Sequence, residues 1–179
     1  MAEPVIEVSC ACGQVRLEVT GKPIISAECC CTSCRSAAGT FEALPGAHPI
    51  LTAYGATRYE LYRKDRVRFL SGAEHLREHR LQPDSHTRRV VAGCCNSPVF
   101  TEFEGGHWLS LYGGLWPAGT LPPLEIRTMT SDLPDPSVLP DDVTNARRQN
   151  GSFFRKLLLA WVAMGFRVPK TPAAAPWGV

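Results

Sequence analysis

The chain has 179 residues, of which 44% are hydrophobic and 20% charged, as is typical of a globular protein that builds its own core. Its formal net charge of +2 argues against a nucleic-acid-binding protein and against a general attraction to acidic lipid. The N-terminus has no signal-peptide pattern, and the longest apolar run, residues 157–166, is about half the length of a membrane-spanning helix. We therefore expect a cytoplasmic protein with no membrane span and no nucleic-acid partner.

Residues 1–116 carry the pattern of a β-domain. Short runs of alternating apolar and polar residues are separated by turn signals about ten residues apart, which favours an all-β arrangement over alternating strands and helices. The predicted strands cover residues 5–19 as a hairpin, 24–31, 57–62, 67–69, 75–81, 88–91, 98–103 and 108–112. Residues 35–48 are small and contain Gly39, Pro45 and Gly46, so we predict a loop there.

The chain changes character after residue 116. Six prolines predict an extended segment over residues 117–150. Apolar residues at helical spacing then predict an amphipathic helix over residues 151–168. We expect this helix to pack on the β-domain or on a second subunit in a homodimer, and the alternative is a helix that lies on a membrane surface. Residues 169–179, rich in Pro and Ala, are predicted to form a flexible tail.

Eight cysteines fall into three clusters. They are Cys10 and Cys12, then Cys29, Cys30, Cys31 and Cys34, then Cys94 and Cys95. Disulfides are typical of small secreted chains, and cysteines one or two residues apart have poor geometry for pairing with each other. Clusters of the form C-x-C and C-x-x-C in a protein without a signal peptide favour metal ligation, above all by zinc.

The spacing within the clusters predicts which sulfurs converge. Alternate residues of a strand face the same way, so Cys10 and Cys12 can point at one metal. The central cage, which we define as Cys29, Cys31 and Cys34, supplies three thiolates once a tight turn brings Cys34 back. A catalytic zinc keeps one coordination position open, so the central cage is a candidate open site. Cys30 is expected to face away as a small buried residue.

The third cluster leaves alternatives open. Adjacent cysteines seldom serve one metal equally well. One residue of the pair Cys94 and Cys95 could close the site of Cys10 and Cys12, while the other faces the central cage.

Three motifs resemble those of the family of glutathione-dependent formaldehyde-activating enzymes (GFA) and CENP-V-like proteins. The family's C-x-C-G-x-V-R opening is matched by residues 10–16 (CACGQVR), its C-H-C-x-x-C-R by residues 29–35 (CCCTSCR), and the closing half of C-x-x-C-G-S-P-[LV]-F by residues 95–100 (CNSPVF). Order and spacing agree over residues 8 to about 112.

The resemblance implies a Mss4-like zinc-binding β-fold with two zinc ions. One structural zinc would be held by Cys10, Cys12 and Cys95 with a further ligand. A second zinc would be held by the central cage, where a glutathione adduct binds in the family. The family reaction joins formaldehyde and glutathione to S-hydroxymethylglutathione, so the resemblance implies a carbon–sulfur lyase.

The chain departs from the family motifs at three positions. Ala92 stands at the first cysteine of the closing motif, so either Cys94 substitutes for that cysteine or the structural site is incomplete. Cys30 replaces a histidine and Asn96 a glycine. A further alternative is a single zinc held by the central cage with Cys94. The sequence therefore predicts one or two zinc ions.

Two functions from different classes follow. As an enzyme, the protein would use the central cage on a small thiol adduct, such as a glutathione adduct, with Arg35 as the candidate substrate-binding cation. Arg88 and Arg89 could also reach the site, whereas the basic run over residues 58–68 is expected to be a solvated strand face. The alternative is a non-catalytic zinc-folded module that binds a partner through the C-terminal helix.

Overall fold

The computed structural model describes residues 3–177, which form a mainly β protein with helices α1 (Thr32–Glu42) and α2 (Gly151–Ala163). The strands are β1 (Val5–Ser9), β2 (Arg16–Thr20), β3 (Ile25–Cys29), β4 (Thr57–Arg63), β5 (Val67–Ser71), β6 (Leu76–His79), β7 (Thr87–Ala92), β8 (Ser97–Phe103), β9 (Trp108–Tyr112), β10 (Ile126–Thr128), β11 (Thr144–Asn145) and β12 (Ala175–Pro176). The predicted mainly β fold with a C-terminal helix is confirmed.

The strands of residues 3–177 form two sheets. The smaller sheet has the antiparallel order β1-β2-β5, and the larger one has the order β11-β10-β3-β4-β9-β8-β7-β6-β12. In β2, Leu17 and Val19 are buried while Arg16 is exposed, which is the alternation expected of a strand with one face in the core. These side chains pack against Phe100 and Leu111 of the larger sheet, so one core lies between the two sheets.

A second core lies on the opposite face of the larger sheet. Val91 packs there, whereas its neighbours Val90 and Ala92 face the first core. Phe41 of α1 and Leu157 of α2 cover this second core. The larger sheet is thus covered by the smaller sheet on one face and by the two helices on the other, and the central cage lies on the helical side.

Helix α1 corrects one prediction. Residues 35–48 were expected to form a loop, but the helix runs to Glu42. Its buried side chains, Cys34, Ala37, Ala38 and Phe41, recur at helical spacing. Their burial against the sheet outweighs the low helix propensity of the Ser, Thr and Gly residues between them.

The segments after residue 116 join the larger sheet at its two edges. Strand β10 pairs in parallel with β3, and β11 pairs with β10. Strand β12 pairs with β6, and Trp177 packs against Phe41 and His79. Residues 178–179 of the predicted flexible tail lie outside the described residues, and the division of the chain into domains stays a prediction. Between residues 3 and 177 neither helix has the length and apolarity that crossing a bilayer demands.

Candidate metal centre and adjoining cavity

One group of four cysteines joins the two sheets. Cys10 and Cys12 lie in the turn between β1 and β2, and Cys94 and Cys95 lie in the turn between β7 and β8. The first turn is closed by the Gly13 N–H, which donates to the Cys10 carbonyl over 2.9 Å. We call Cys10, Cys12, Cys94 and Cys95 the four-cysteine group.

The four sulfurs have the spacing of a tetrahedral metal site. Cys94 Sγ lies 3.8 Å from Cys10 Sγ, 3.4 Å from Cys12 Sγ and 4.0 Å from Cys95 Sγ. A Zn–S bond of about 2.3 Å in a tetrahedron places sulfurs about 3.8 Å apart. All four thiols are reduced, and their sulfurs lie within 4.8 Å of one another. The four-cysteine group could therefore hold a metal ion with no coordination position left open.

The turn between β7 and β8 corrects the expectation that Cys94 and Cys95 would serve different sites. Its tight bend places both sulfurs on the side of Cys10 and Cys12, because the N–H groups of Cys95 and Asn96 both donate to the Ala92 carbonyl. Asn96 adopts the left-handed conformation, φ 58°, that ends the turn. The alternative of a single site built from the central cage and Cys94 is wrong, since Cys94 lies with the four-cysteine group.

Ser97 supports this group from outside. Its hydroxyl lies 3.1 Å from Cys95 Sγ and accepts the N–H of Ala11 over 3.0 Å. Burial opposes a charge on Cys95, but the Ser97 hydroxyl and nearby backbone N–H groups lower the pKa of that thiol to about 6. The local polar groups thus favour the thiolate, which is the form that binds metal.

The central cage is built by the junction of β3 and α1. Cys29 ends the strand, Cys31 caps the helix, and Cys34 lies in its first turn. Cys31 Sγ accepts the N–H of Cys34 over 3.3 Å, and the three sulfurs lie within 4.8 Å of one another. Cys30 points away and packs, fully buried, against Ala56 and Leu133. Hence three sulfurs converge here, not four.

The three thiols of the central cage compete for protons. Hydrogen bonds with Cys31 and Cys34, together with burial, raise the pKa of Cys29. Hydrogen bonds from Cys29 and Cys34 lower the pKa of Cys31, despite its burial. A dication bound by all three sulfurs would remove this competition, because it stabilises every thiolate at once.

A cavity of 580 Å³ opens beside the central cage. The three cage cysteines form part of its wall. The other side chains that line it are mostly apolar or aromatic, with a few hydroxyl groups and two charged groups: Ala27, Ser33, Tyr59, Leu61, Thr87, Arg89, Thr101, Phe103, Trp108, Ser110, Thr128, Met129, Asp132, Gln149, Phe153, Phe154 and Leu157. Pockets of this size and composition are typical of sites for small molecules.

Arg89 is the cation of the cavity wall. It is 2% exposed, and its guanidinium donates to the Ser33 hydroxyl over 3.3 Å. Among the described residues, no carboxylate pairs with it, and its buried Nε has no acceptor. Burial works against its charge, but Tyr112, Tyr59 and Cys34 raise its pKa above the ordinary value. A buried cation without a carboxylate partner fits an anionic centre at the central cage.

The other cations named by the sequence lie elsewhere. Arg35 is absent from the described lining of the cavity, and its guanidinium donates to the Asp132 carbonyl over 2.6 Å. Each basic residue of the run over residues 58–68 forms an ion pair with a carboxylate of the described chain. The pairs are Arg58 with Glu60, Arg63 with Asp65, Lys64 with Glu102, Arg66 with Glu3, and Arg68 with Glu18. Arg88 pairs with Glu78 and Glu102.

Two hydroxyl groups of this site were missed from sequence. Tyr59 Oη lies 3.6 Å from Cys34 Sγ and 3.2 Å from Thr101 Oγ1, which donates to Tyr112 Oη over 3.4 Å. Burial raises the pKa of Tyr59 well above its ordinary value, so the phenol keeps its proton. The pairing of distant strands, which the sequence does not reveal, places them beside Cys34.

His107 contacts helix α2, which forms part of the cavity wall. Its Nε2 lies 2.9 Å from the Leu157 carbonyl of α2, and its ring stacks on Trp161 at 5.5 Å. It is thus a buried structural residue. Trp108, next to it in the chain, lines the cavity.

Comparison with known proteins finds a family match for the N-terminal part of the chain. The profile of the glutathione-dependent formaldehyde-activating enzyme family matches residues 5–49, which contain the first two cysteine motifs. A crystal structure of a Rhodobacter sphaeroides protein is similar at 16% identity and a TM-score of 0.45, over 65% of this chain and 92% of that one. No curated protein matches the chain significantly. Over residues 5–49, the chain is similar to the family of glutathione-dependent formaldehyde-activating enzymes.

Proposed function

We propose that both cysteine groups bind zinc and that the central cage acts on a thiol adduct as a carbon–sulfur lyase. The observation that carries this proposal is the contrast between the two groups. Four sulfurs surround one position, whereas three sulfurs converge beside a cavity of 580 Å³. A structural zinc takes four protein ligands and a catalytic one keeps a position for substrate.

The residues of the central cage suit this metal. Three thiolates are soft ligands of the kind zinc accepts, and bound zinc would supply Lewis acidity and one exchangeable position for a thiol. Zinc(II) with three thiolates carries a net charge of −1. Arg89, buried beside Cys34, would compensate that charge and make the centre close to neutral.

The cavity hydroxyls suit the proton transfer that the reaction needs. When a thiol adds to an aldehyde, an S–C bond forms, the C=O π bond breaks, and the thiol proton ends on the oxygen. Tyr59 keeps its proton and therefore serves as a hydrogen-bond donor towards that oxygen. Thr101 and Tyr112 continue the hydroxyl chain away from the cage and hold Tyr59 in place.

The wall of the cavity favours an adduct with an apolar body. Phe103, Trp108 and Phe153 form apolar parts of the wall, and Arg89 and Asp132 are its charged residues. Glutathione carries two carboxylates and one ammonium group, for which this wall has few partners. We therefore infer that the thiol is less polar than glutathione, the family's thiol.

Metal content and adduct formation test the proposal together. We expect two zinc ions per chain by elemental analysis. Cys31→Ser should lower this to one and abolish formation of the S-hydroxymethyl adduct, followed by NMR with ¹³C-formaldehyde and either glutathione or benzyl mercaptan. Cys12→Ser is the matched control. It should also lose one zinc, but from the four-cysteine group, and it should destabilise the fold.

Two results would overturn the proposal. One is adduct formation that persists at the same rate in Cys31→Ser. The other is wild-type protein that forms no adduct with either thiol although its central cage is loaded with zinc, and this would favour the non-catalytic binding module. A preference for glutathione over benzyl mercaptan would overturn only the inference about the thiol.

A further inference from the structure

Helix α2 has an apolar face that no part of residues 3–177 covers. Phe153, Leu157 and Met164 point inward, whereas Phe154, Leu158, Leu159 and Val162 are 49–59% exposed. Phe154, Leu158 and Val162 are spaced four residues apart, so they form one stripe along the helix. We call Phe154, Leu158, Leu159 and Val162 the outer face of α2; Phe154, at its N-terminal end, also contributes to the cavity lining. Large exposed apolar patches mark sites of interaction.

The charge around this helix is one-sided. Residues 143–179 carry six basic side chains and no Asp or Glu, which leaves 13 basic and 17 acidic side chains in residues 1–142. The six are Arg147, Arg148, Arg155, Lys156, Arg167 and Lys170. Lys156 pairs with Glu125. Arg147, Arg148, Arg155, Arg167 and Lys170 are exposed. Lys170 also lines a second pocket that contains Glu102 and Glu104. The near-neutral net charge of the chain therefore conceals a strongly cationic segment.

The position of these cations works against helix stability. Arg147, Arg148 and Arg155 lie at or near the N-terminal end of α2, and its first turn contains no acidic residue. The helix dipole favours anions at that end, so cations there cost a few tenths of a kcal/mol each. The arrangement is disfavoured for an isolated helix and is explained if an external anionic surface meets these side chains.

Charge also decides between two occupants of the outer face. A symmetric dimer would bring two copies of this cationic segment together, at an interhelical distance of about 8–10 Å. Charges at that separation still repel at physiological salt, where the screening length is about 8 Å. An anionic lipid surface instead complements the cations and takes up the apolar stripe.

We propose that α2 lies on anionic membranes, with its outer face in the interfacial region and Arg148, Arg155 and Arg167 among the lipid phosphates. Such helices lie parallel to the bilayer and insert only their apolar face. The outer face offers the apolar part of this contact, and each nearby cation adds about a factor of five in partitioning onto an anionic surface. This inference does not depend on the proposed function, and neither proposal fails with the other.

Flotation of the full-length, zinc-loaded protein with vesicles provides the test. We expect binding to vesicles of phosphatidylcholine mixed with phosphatidylserine, weak binding to phosphatidylcholine alone, and a decrease as salt rises. Leu158→Asp should lower partitioning about tenfold or more, because it puts a charge into the apolar stripe. Arg148→Gln and Arg155→Gln should each lower it about fivefold.

Matched variants away from α2 serve as controls. Val138 is 54% exposed, and Lys22 is exposed, so Val138→Asp and Lys22→Gln should leave partitioning unchanged. Circular dichroism should show that Leu158→Asp is folded, since that side chain is 53% exposed. Equal binding by Leu158→Asp and wild type would overturn the proposal. The proposal would also fail if wild type does not bind vesicles but forms a dimer that Leu158→Asp converts to a monomer. The outer face would then be the contact with a second copy.

Discussion

At the scale of single residues, the most informative side chain is Arg89. A buried guanidinium without a carboxylate is costly, since a charge removed from water needs a partner of opposite sign. The groups that raise its pKa are Cys34, Tyr59 and Tyr112, and they carry no charge as long as the thiol and both phenols keep their protons. A metal-bound thiolate would change that balance, so we expect Arg89 and a bound ion to stabilise each other.

Replacing Arg89 should therefore weaken metal binding at one site only. We expect Arg89→Leu to lower the zinc affinity of the central cage about 10- to 100-fold, the usual effect of losing a group that supports metal ligands. Arg89→Lys should keep most of the affinity because it keeps the charge. Titration with a competing chelator would measure this, with Arg35→Leu as the control outside the described cavity lining. Unchanged zinc affinity in Arg89→Leu would show that the guanidinium is neutralised by other means.

At the scale of elements, the turn after β5 positions the first cysteine motif. Gly72 has φ 77°, and a Cβ on it would lie 2.8 Å from Cα of Val15. The Ser71 hydroxyl also donates to the Gln14 carbonyl over 3.0 Å. The turn thus packs directly on the backbone that follows Cys12, and only glycine fits at this point.

Gly72 and Gly119 form a matched pair for testing this contact. Both have a positive φ, 77° and 78°, but a Cβ on Gly119 meets no atom within 4 Å. Gly119→Ala should cost about 1–2 kcal/mol from backbone conformation alone. Gly72→Ala should cost about 3 kcal/mol or more, because backbone must move as well. Urea denaturation measures both, and equal losses would disprove a role for close packing at Gly72.

The elements also show what sequence could and could not predict. Strand β2 was predicted because the apolar residues Leu17 and Val19, which are buried, alternate along it with Arg16 and Glu18. Helix α1 was missed because its Ser, Thr and Gly residues have low helix propensity, although Cys34, Ala37 and Phe41 have helical spacing. Convergence of Cys10 and Cys12 was predicted from strand alternation, but both residues lie in the turn after β1, and the turn brings their sulfurs together. The place of Cys94 and the neighbourhood of Tyr59 depend on how distant strands pair, which one sequence does not reveal.

At the scale of the whole molecule, one buried acid affects stability across neutral pH. Glu60 has no exposed surface and accepts hydrogen bonds from Ser26 and Arg58. Burial raises the pKa of Glu60 from 4.5 to about 7, against the opposing effects of Arg58 and Ser26. The folded state therefore binds this proton more tightly than the unfolded state, and the stabilisation is present at low pH and lost as pH rises towards 7.

Glu60→Gln should remove this pH dependence. A difference of about 2.5 pKa units corresponds to about 3 kcal/mol. As the pH rises from about 4.5 to 7, the free energy of unfolding of the variant should increase relative to that of wild type. Above pH 7 the difference should stay constant. Urea denaturation of zinc-loaded wild type and variant across this range measures the difference. Metal binding weakens in acid in both proteins alike, so that effect cancels in the difference. A constant difference across the range would show that the pKa of Glu60 is not raised.

The four-cysteine group has a consequence for how the chain comes apart. Cys12 and Cys94 are 82 positions apart and belong to turns of different sheets. While an ion stays coordinated there, it acts as a cross-link that closes a loop of about 80 residues. The lost conformational entropy raises the free energy of any opened state by about 4–5 kcal/mol at 25 °C. Separation of the two sheets and loss of the ion then become one event, so the rate of metal release sets the lifetime of the fold.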